Sequence, residues 1–124
     1  MTDRHSMLVF FSMVFGAVGT SLAAKPDSVD RPVTYHRDVA PILYRHCAEC
    51  HREGEVAPFS LLSYHDASKR ADWLAENVTL RRMPPWKAEP NFGHFIGERR
   101  MSDQEIQTIA SWAKAGAPEG NPSD

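Results

Sequence analysis

The residues with the most specific spacing are Cys47-Ala48-Glu49-Cys50-His51, which include both cysteines of the chain. They stand in the C-x-x-C-H arrangement that attaches haem of the c type. Two thiols three positions apart lie on one side of a helical turn, where both can add to the vinyl groups of one porphyrin edge. The next residue then points its imidazole at the iron as proximal ligand. His51 is tied to the ring through its neighbour, so it loses little further freedom on binding. Two other chemistries use a cysteine pair. A thioredoxin-type disulfide needs a strand before the motif, and here a helical pattern precedes it. A structural zinc site needs more ligands at tight spacing, yet there is no second cysteine pair, and His46 could join Cys47, Cys50 and His51 only with strain.

A second ligand is expected on the opposite face of the metal. Met83 precedes Pro84, Pro85 and Trp86. A thioether is soft and favours ferrous iron, so His/Met ligation raises the potential and suits electron transfer. The competing role for Met83 is to fill the core at a helix end. Met101, just before the Ser102 cap, reads as a packing residue. His65 and His94 are the bis-His alternatives. His36 and His46 read as surface or satisfied polar groups. Pro58 is a candidate to present its carbonyl to the other nitrogen of His51. Trp86, Tyr64 and Arg82 are candidate donors to haem carboxylates. Phe59, Leu61, Leu62, Phe92 and Phe95 are candidate pocket walls.

These side chains must be positioned by helices. The first is expected from about His36 to Cys47, with Thr34 as N-cap; Pro41 can shift its ordered start towards Val39. The second is expected from about His65 to Leu80, where Ala67, Ala71, Leu74, Ala75 and Val78 make one apolar stripe. The double proline at Pro84 and Pro85 stops it. The third has the clearest signals. Ser102 and Glu105 form a capping box. Ile106, Ile109, Ala110 and Ala113 make a buried face, and Trp112 is read as core. Gly116 stands at a left-handed C-cap position, followed by Pro118. No stretch alternates as a strand would, so the fold class is all-α.

At the N-terminus, Arg4 and His5 precede an apolar run from Met7 to Val18, followed by small residues at Ser21, Ala23 and Ala24. This is the pattern of a secretory signal, residues 1–23, cleaved after Ala23. The rival is an uncleaved anchor, since Met7 to Ala24 just reaches membrane-spanning length. Residues 24–33 are expected as a flexible lead-in, 34–120 as the functional domain and 121–124 as a tail. With 14 Lys and Arg against 16 Asp and Glu, the formal charge of -2 argues against nucleic acid as a partner.

Taken with Gly54, Ala57-Pro58-Phe59-Ser60-Leu61, Tyr64, Arg82-Met83-Pro84-Pro85-Trp86 and Trp112-Ala113-Lys114-Ala115-Gly116-Ala117-Pro118, the C-x-x-C-H motif resembles a bacterial mono-haem cytochrome c domain. It is most similar to haem domains found beside thioredoxin-like or copper- and ascorbate-dependent monooxygenase-like modules. The resemblance runs from about Thr34 to Pro118 and does not extend to such a second module. It implies a cytochrome c fold of three or more short helices around one covalently bound haem c, with the first and last helices crossing beside it. It also implies Cys47 and Cys50 as attachment sites, His51 as proximal ligand and Met83 as distal ligand.

The expected role is single-electron transfer by an exported, periplasmic carrier that meets larger redox proteins transiently and is not an enzyme. A membrane association is expected only if the N-terminal segment is uncleaved. Two alternatives stand beside this role. An open distal site would make a haem enzyme or a gas or peroxide sensor, and a docked form would make a subunit of a larger oxidoreductase.

Overall fold

The computed structural model describes residues 31–124. The expected signal segment and all but the last residues of the lead-in lie outside them. Among the described residues the fold is all-α: a π-helical turn at Tyr35–Val39 runs into α1 at Ala40–His46, followed by α2 at Tyr64–Ser68, α3 at Ala71–Thr79 and α4 at Asp103–Lys114. None of these helices is long and apolar enough to cross a membrane.

The first helix departs from a simple α-helix because of Pro41. A proline inside a helix lacks a donor and strikes the carbonyl one turn back. Here the turn ahead of it is widened: the N–H groups of Asp38 and Val39 both reach the Thr34 carbonyl, at 3.1 and 3.3 Å. Pro41 then falls in the first turn of α1, where a missing donor costs nothing. Thr34 does occupy the N-cap position, but its hydroxyl is buried without a partner. The cap works the other way round, with the Thr34 N–H donating to Asp38 Oδ2 at 2.8 Å.

The single second helix expected over 65–80 is two helices. Ser63 caps α2, accepting from the Asp66 N–H at 3.1 Å. The chain then breaks at Arg70, whose N–H turns back to Ala67 at 3.0 Å and whose φ and ψ are -120° and 18°. The predicted stripe survives the break: Ala67, Ala71, Leu74 and Val78 are buried, and Ala75 packs against them half-buried.

Helix α4 follows its signals closely. Ser102 and Glu105 cap each other reciprocally. Met101 and Ile106, the residues flanking that cap, line one small void with Val78, as a hydrophobic staple does. At the other end Gly116 has φ 82°, and the Ala117 and Gly116 N–H groups donate to Trp112 and Ala113 at 2.9 and 3.0 Å. This closes the helix as a Schellman motif.

The core joins the two ends of the chain. Trp112 is fully buried, its indole N–H donates to the Pro118 carbonyl at 3.0 Å, and its ring lies 6.1 Å from that of Tyr35. At the opposite end of the same pair, Arg45 and His46 both meet Glu105 Oε1 at 3.0 Å. The first helical segment and α4 therefore run side by side in opposite senses, while α3 is the principal packing partner of α4.

Burial opposes the charge on Glu105, but hydrogen bonds from the Ser102 N–H and hydroxyl and from the His46 ring outweigh it, and hold its carboxyl at about 2. A carboxylate with a folded value below its ordinary one contributes stability above the ordinary value and loses it as pH falls through the folded value. Stability is thus expected to fall between about pH 4.3 and about pH 2. Glu105→Gln should flatten that part of the profile and cost about 1–2 kcal/mol at neutral pH. Urea melts at a series of pH values check both outcomes.

Candidate functional site

Helix α1 ends at His46, and the cysteine motif forms the turn that follows. The Cys47 N–H still reaches Leu43 at 2.8 Å, and the Cys50 and His51 N–H groups both fold back on the Cys47 carbonyl at 3.1 and 2.8 Å. This puts the two sulfurs and the imidazole on one tight turn, as the spacing predicts. The next loop braces it. The Ala57 N–H donates to the Cys50 carbonyl at 3.1 Å, and the Leu61 N–H to the His51 carbonyl at 3.0 Å. Two backbone bonds therefore pin the motif to the segment Ala57–Leu61.

The same segment orients the imidazole. His51 is only 7 % exposed, and its Nδ1 lies 3.2 Å from the Phe59 carbonyl. A carbonyl only accepts, so Nδ1 carries the proton and Nε2 presents a lone pair. The orienting carbonyl is Phe59's, one residue beyond the expected Pro58. The Phe59 ring reinforces the arrangement: it packs 4.7 Å from the imidazole and 5.4 Å, edge-on, from Trp73, with the Arg70 guanidinium 4.4 Å over it.

These groups open onto one cleft of about 360 Å³ that is partly open to solvent. That is near the lower end of the roughly 300–1,000 Å³ of small-molecule sites. Cys47, Cys50 and His51 line it, together with Leu74, Asn77 and Val78 from α3 and with Met83, Pro84 and Pro85. All four residues expected to bind the cofactor therefore face the same cleft. Met83 is held by its backbone, its N–H reaching the Asn77 carbonyl at 3.2 Å just beyond α3.

Several expected participants lie elsewhere. Tyr64 donates to the Ala117 carbonyl at 3.0 Å and ties α2 to the end of α4. Arg82 is exposed, beside Glu76. Leu62, Phe92 and Phe95 are exposed and do not line the cleft, whereas Phe59 and Leu61 do. His65 and His94 are exposed and outside it. Met101 is buried in the staple. His36 pairs with Glu119, and His46, although at the cleft, is engaged by Glu105. Trp86 lies against a neighbouring void shared with Met83, its indole N–H buried without a partner.

Val56, Trp73, Asn77 and Arg99 line the cleft and escaped the sequence reading. Trp73 and Asn77 lie one turn apart on α3, beside the recognised stripe, and the Asn77 amide donates to the Trp73 carbonyl at 2.8 Å. That i, i+4 pairing was the available signal. Arg99 had none. It reaches the cleft from a loop some 50 residues away in sequence, paired with Glu49 at 2.9 Å and 4.0 Å from Cys50 Sγ.

The cysteines are not bonded to each other. Burial pushes the Cys47 thiol up to about 11, and the neighbouring Cys50 adds to the shift. Exchange-active cysteines work the other way, through a lowered value that yields the thiolate. Among the described residues no three His, Cys, Asp or Glu side chains gather as a set for one metal ion. The donor types fit a haem better: two thiols and an imidazole on one turn, and a thioether among the apolar residues that line the same cleft. No family model, curated protein or solved structure matches this chain.

Phe59→Ala removes the ring that packs on His51, Trp73 and Arg70. Because that ring is only half-buried, the expected loss is about 2 kcal/mol, below the ~3–5 of a fully buried phenylalanine. Denaturant midpoints of the two proteins measure it.

Proposed function

We propose that this chain is a mono-haem c-type electron carrier, with haem c attached through Cys47 and Cys50 and ligated by His51 and Met83. The observation that carries the reading is the imidazole of His51. It is locked by the Phe59 carbonyl at 3.2 Å, with Nε2 left to a metal, on the same turn as two thiols and in the same apolar cleft as Met83. Among the described residues the thioredoxin reading finds no strand before the motif, and burial raises the Cys47 thiol where that chemistry needs it lowered.

Haem c, once bound, supplies one-electron exchange at its iron. The residues of the chain do the rest. The Phe59 carbonyl accepts a hydrogen bond from His51 Nδ1–H and so fixes the orientation of the ring. Met83 offers a soft donor that favours the ferrous state. Leu61, Leu74 and Val78 line the cleft with apolar surface; against a bound haem they would keep water from it, which disfavours the extra positive charge of the ferric state. An exported, periplasmic setting belongs to the same proposal, because haem c is attached outside the cytoplasm.

The decisive measurement is an absorption spectrum with pyridine haemochrome analysis on protein matured in an exporting host. One haem with two thioether links and a methionine–iron charge-transfer band is expected. Colourless protein with free or mutually bridged thiols sinks the proposal. Met83→Ala should abolish the band and let the reduced protein take up carbon monoxide, which the parent resists. Rapid stoichiometric uptake by the parent would instead favour an open-site enzyme or sensor.

The cleft also bears on folding. The cleft is lined largely by apolar residues, so a bound cofactor should supply much of the surface they bury. The Cys47→Ser, Cys50→Ser double variant is expected to lose most of its helical circular dichroism and its cooperative melt. Equal, cooperative melts for both proteins would show the fold to be independent of haem.

A further inference from the structure

The rings of His51, Phe59 and Trp73 form an unbroken line. Centroids are 4.7 Å apart for the first pair and 5.4 Å for the second. The line begins at the buried imidazole and ends at Trp73, which is 38 % exposed. Its outer end does not lie at the cleft mouth alone. Phe59 and Trp73 also line a second surface hollow of about 410 Å³, together with the charged Lys69, Arg70 and Asp72. Cleft and hollow thus share one aromatic wall. Arg70 lies over the Phe59 face, 4.4 Å from its centroid, and keeps its charge, while Lys69 is exposed.

We propose that this hollow is the electron port, and that it docks a redox protein presenting an acidic surface. The inference rests on the haem reading above. Electron tunnelling weakens steeply with distance, so a packed route from a metal ligand to the surface is favoured over one through solvent. Two cations against one carboxylate in its lining favour a negative partner, both in steering and in orientation. The step is an outer-sphere one: a single electron leaves the reduced haem for the oxidised partner, no bond forms or breaks, and no proton moves.

Hexacyanoferrate(III) serves as an anionic one-electron oxidant of the reduced holoprotein. Lys69→Glu should slow its oxidation about fivefold at low ionic strength. Lys87→Glu makes the same change of charge outside the hollow and should slow it less than about twofold. Trp73→Leu should slow the reaction also at high salt, where steering is screened. A readout independent of electron transfer is the redox-inert hexacyanocobaltate(III) anion, which should shift the backbone amide resonances of residues 69–73 in the holoprotein. Equal slowing by the two lysine variants, or amide shifts gathered at 56–58 instead, overturns the port while leaving the haem reading intact. A colourless protein overturns both.

Discussion

One hydrogen bond, from His51 Nδ1 to the Phe59 carbonyl, is the constraint on which the site turns. It fixes the tautomer, the direction of the free nitrogen and the ring plane together. The bond is possible only because the loop carrying Phe59 is itself tied to the cysteine turn, through Ala57 to Cys50 and Leu61 to His51. Backbone donors and acceptors set these ties, so the loop's side chains are free to build the cleft wall. The motif and its brace form one small unit in which sulfurs, imidazole and wall residues share a frame.

That unit needs support from outside. The end of α1, from which the motif departs, is anchored by Arg45 and His46 to Glu105. Glu105 is in turn held by the cap of α4. A capping box at one helix therefore sets the position of the turn that carries the thiols. The other end of the same pair is closed by Tyr35, Trp112 and Pro118. The strain of placing Pro41 between these two anchors is taken up by the widened turn before it.

Helix α3 serves two surfaces at once. Leu74 and Val78 belong to the core and also face the cleft. Asn77, one of two buried polar residues among those described, caps the arrangement through its backbone carbonyl, which receives the N–H groups of Arg82 and Met83. The helix end thereby ties the segment carrying the thioether to the cleft that the imidazole also lines. The break at Arg70 has its own consequence: it lets the guanidinium lie on Phe59 and opens the hollow beside Trp73.

What the chain's order of residues determined by itself was local. Period and caps placed α4 to within a residue, because Ser102, Glu105 and Gly116 act on their own helix ends. The spacing of Cys47, Cys50 and His51 required one turn, because three positions along a helix return to one side. Met83 was legible beside Pro84 and Pro85, since prolines end helices through local sterics. Only the tertiary structure decided the rest. It chose the Phe59 carbonyl over its neighbour's, brought Arg99 to Cys50, sent Tyr64 to Ala117, and left Phe92 and Phe95 outside the cleft. Each of these depends on where a loop meets a distant element, and backbone hydrogen bonds and packing between segments far apart in sequence leave no periodic trace in either one alone.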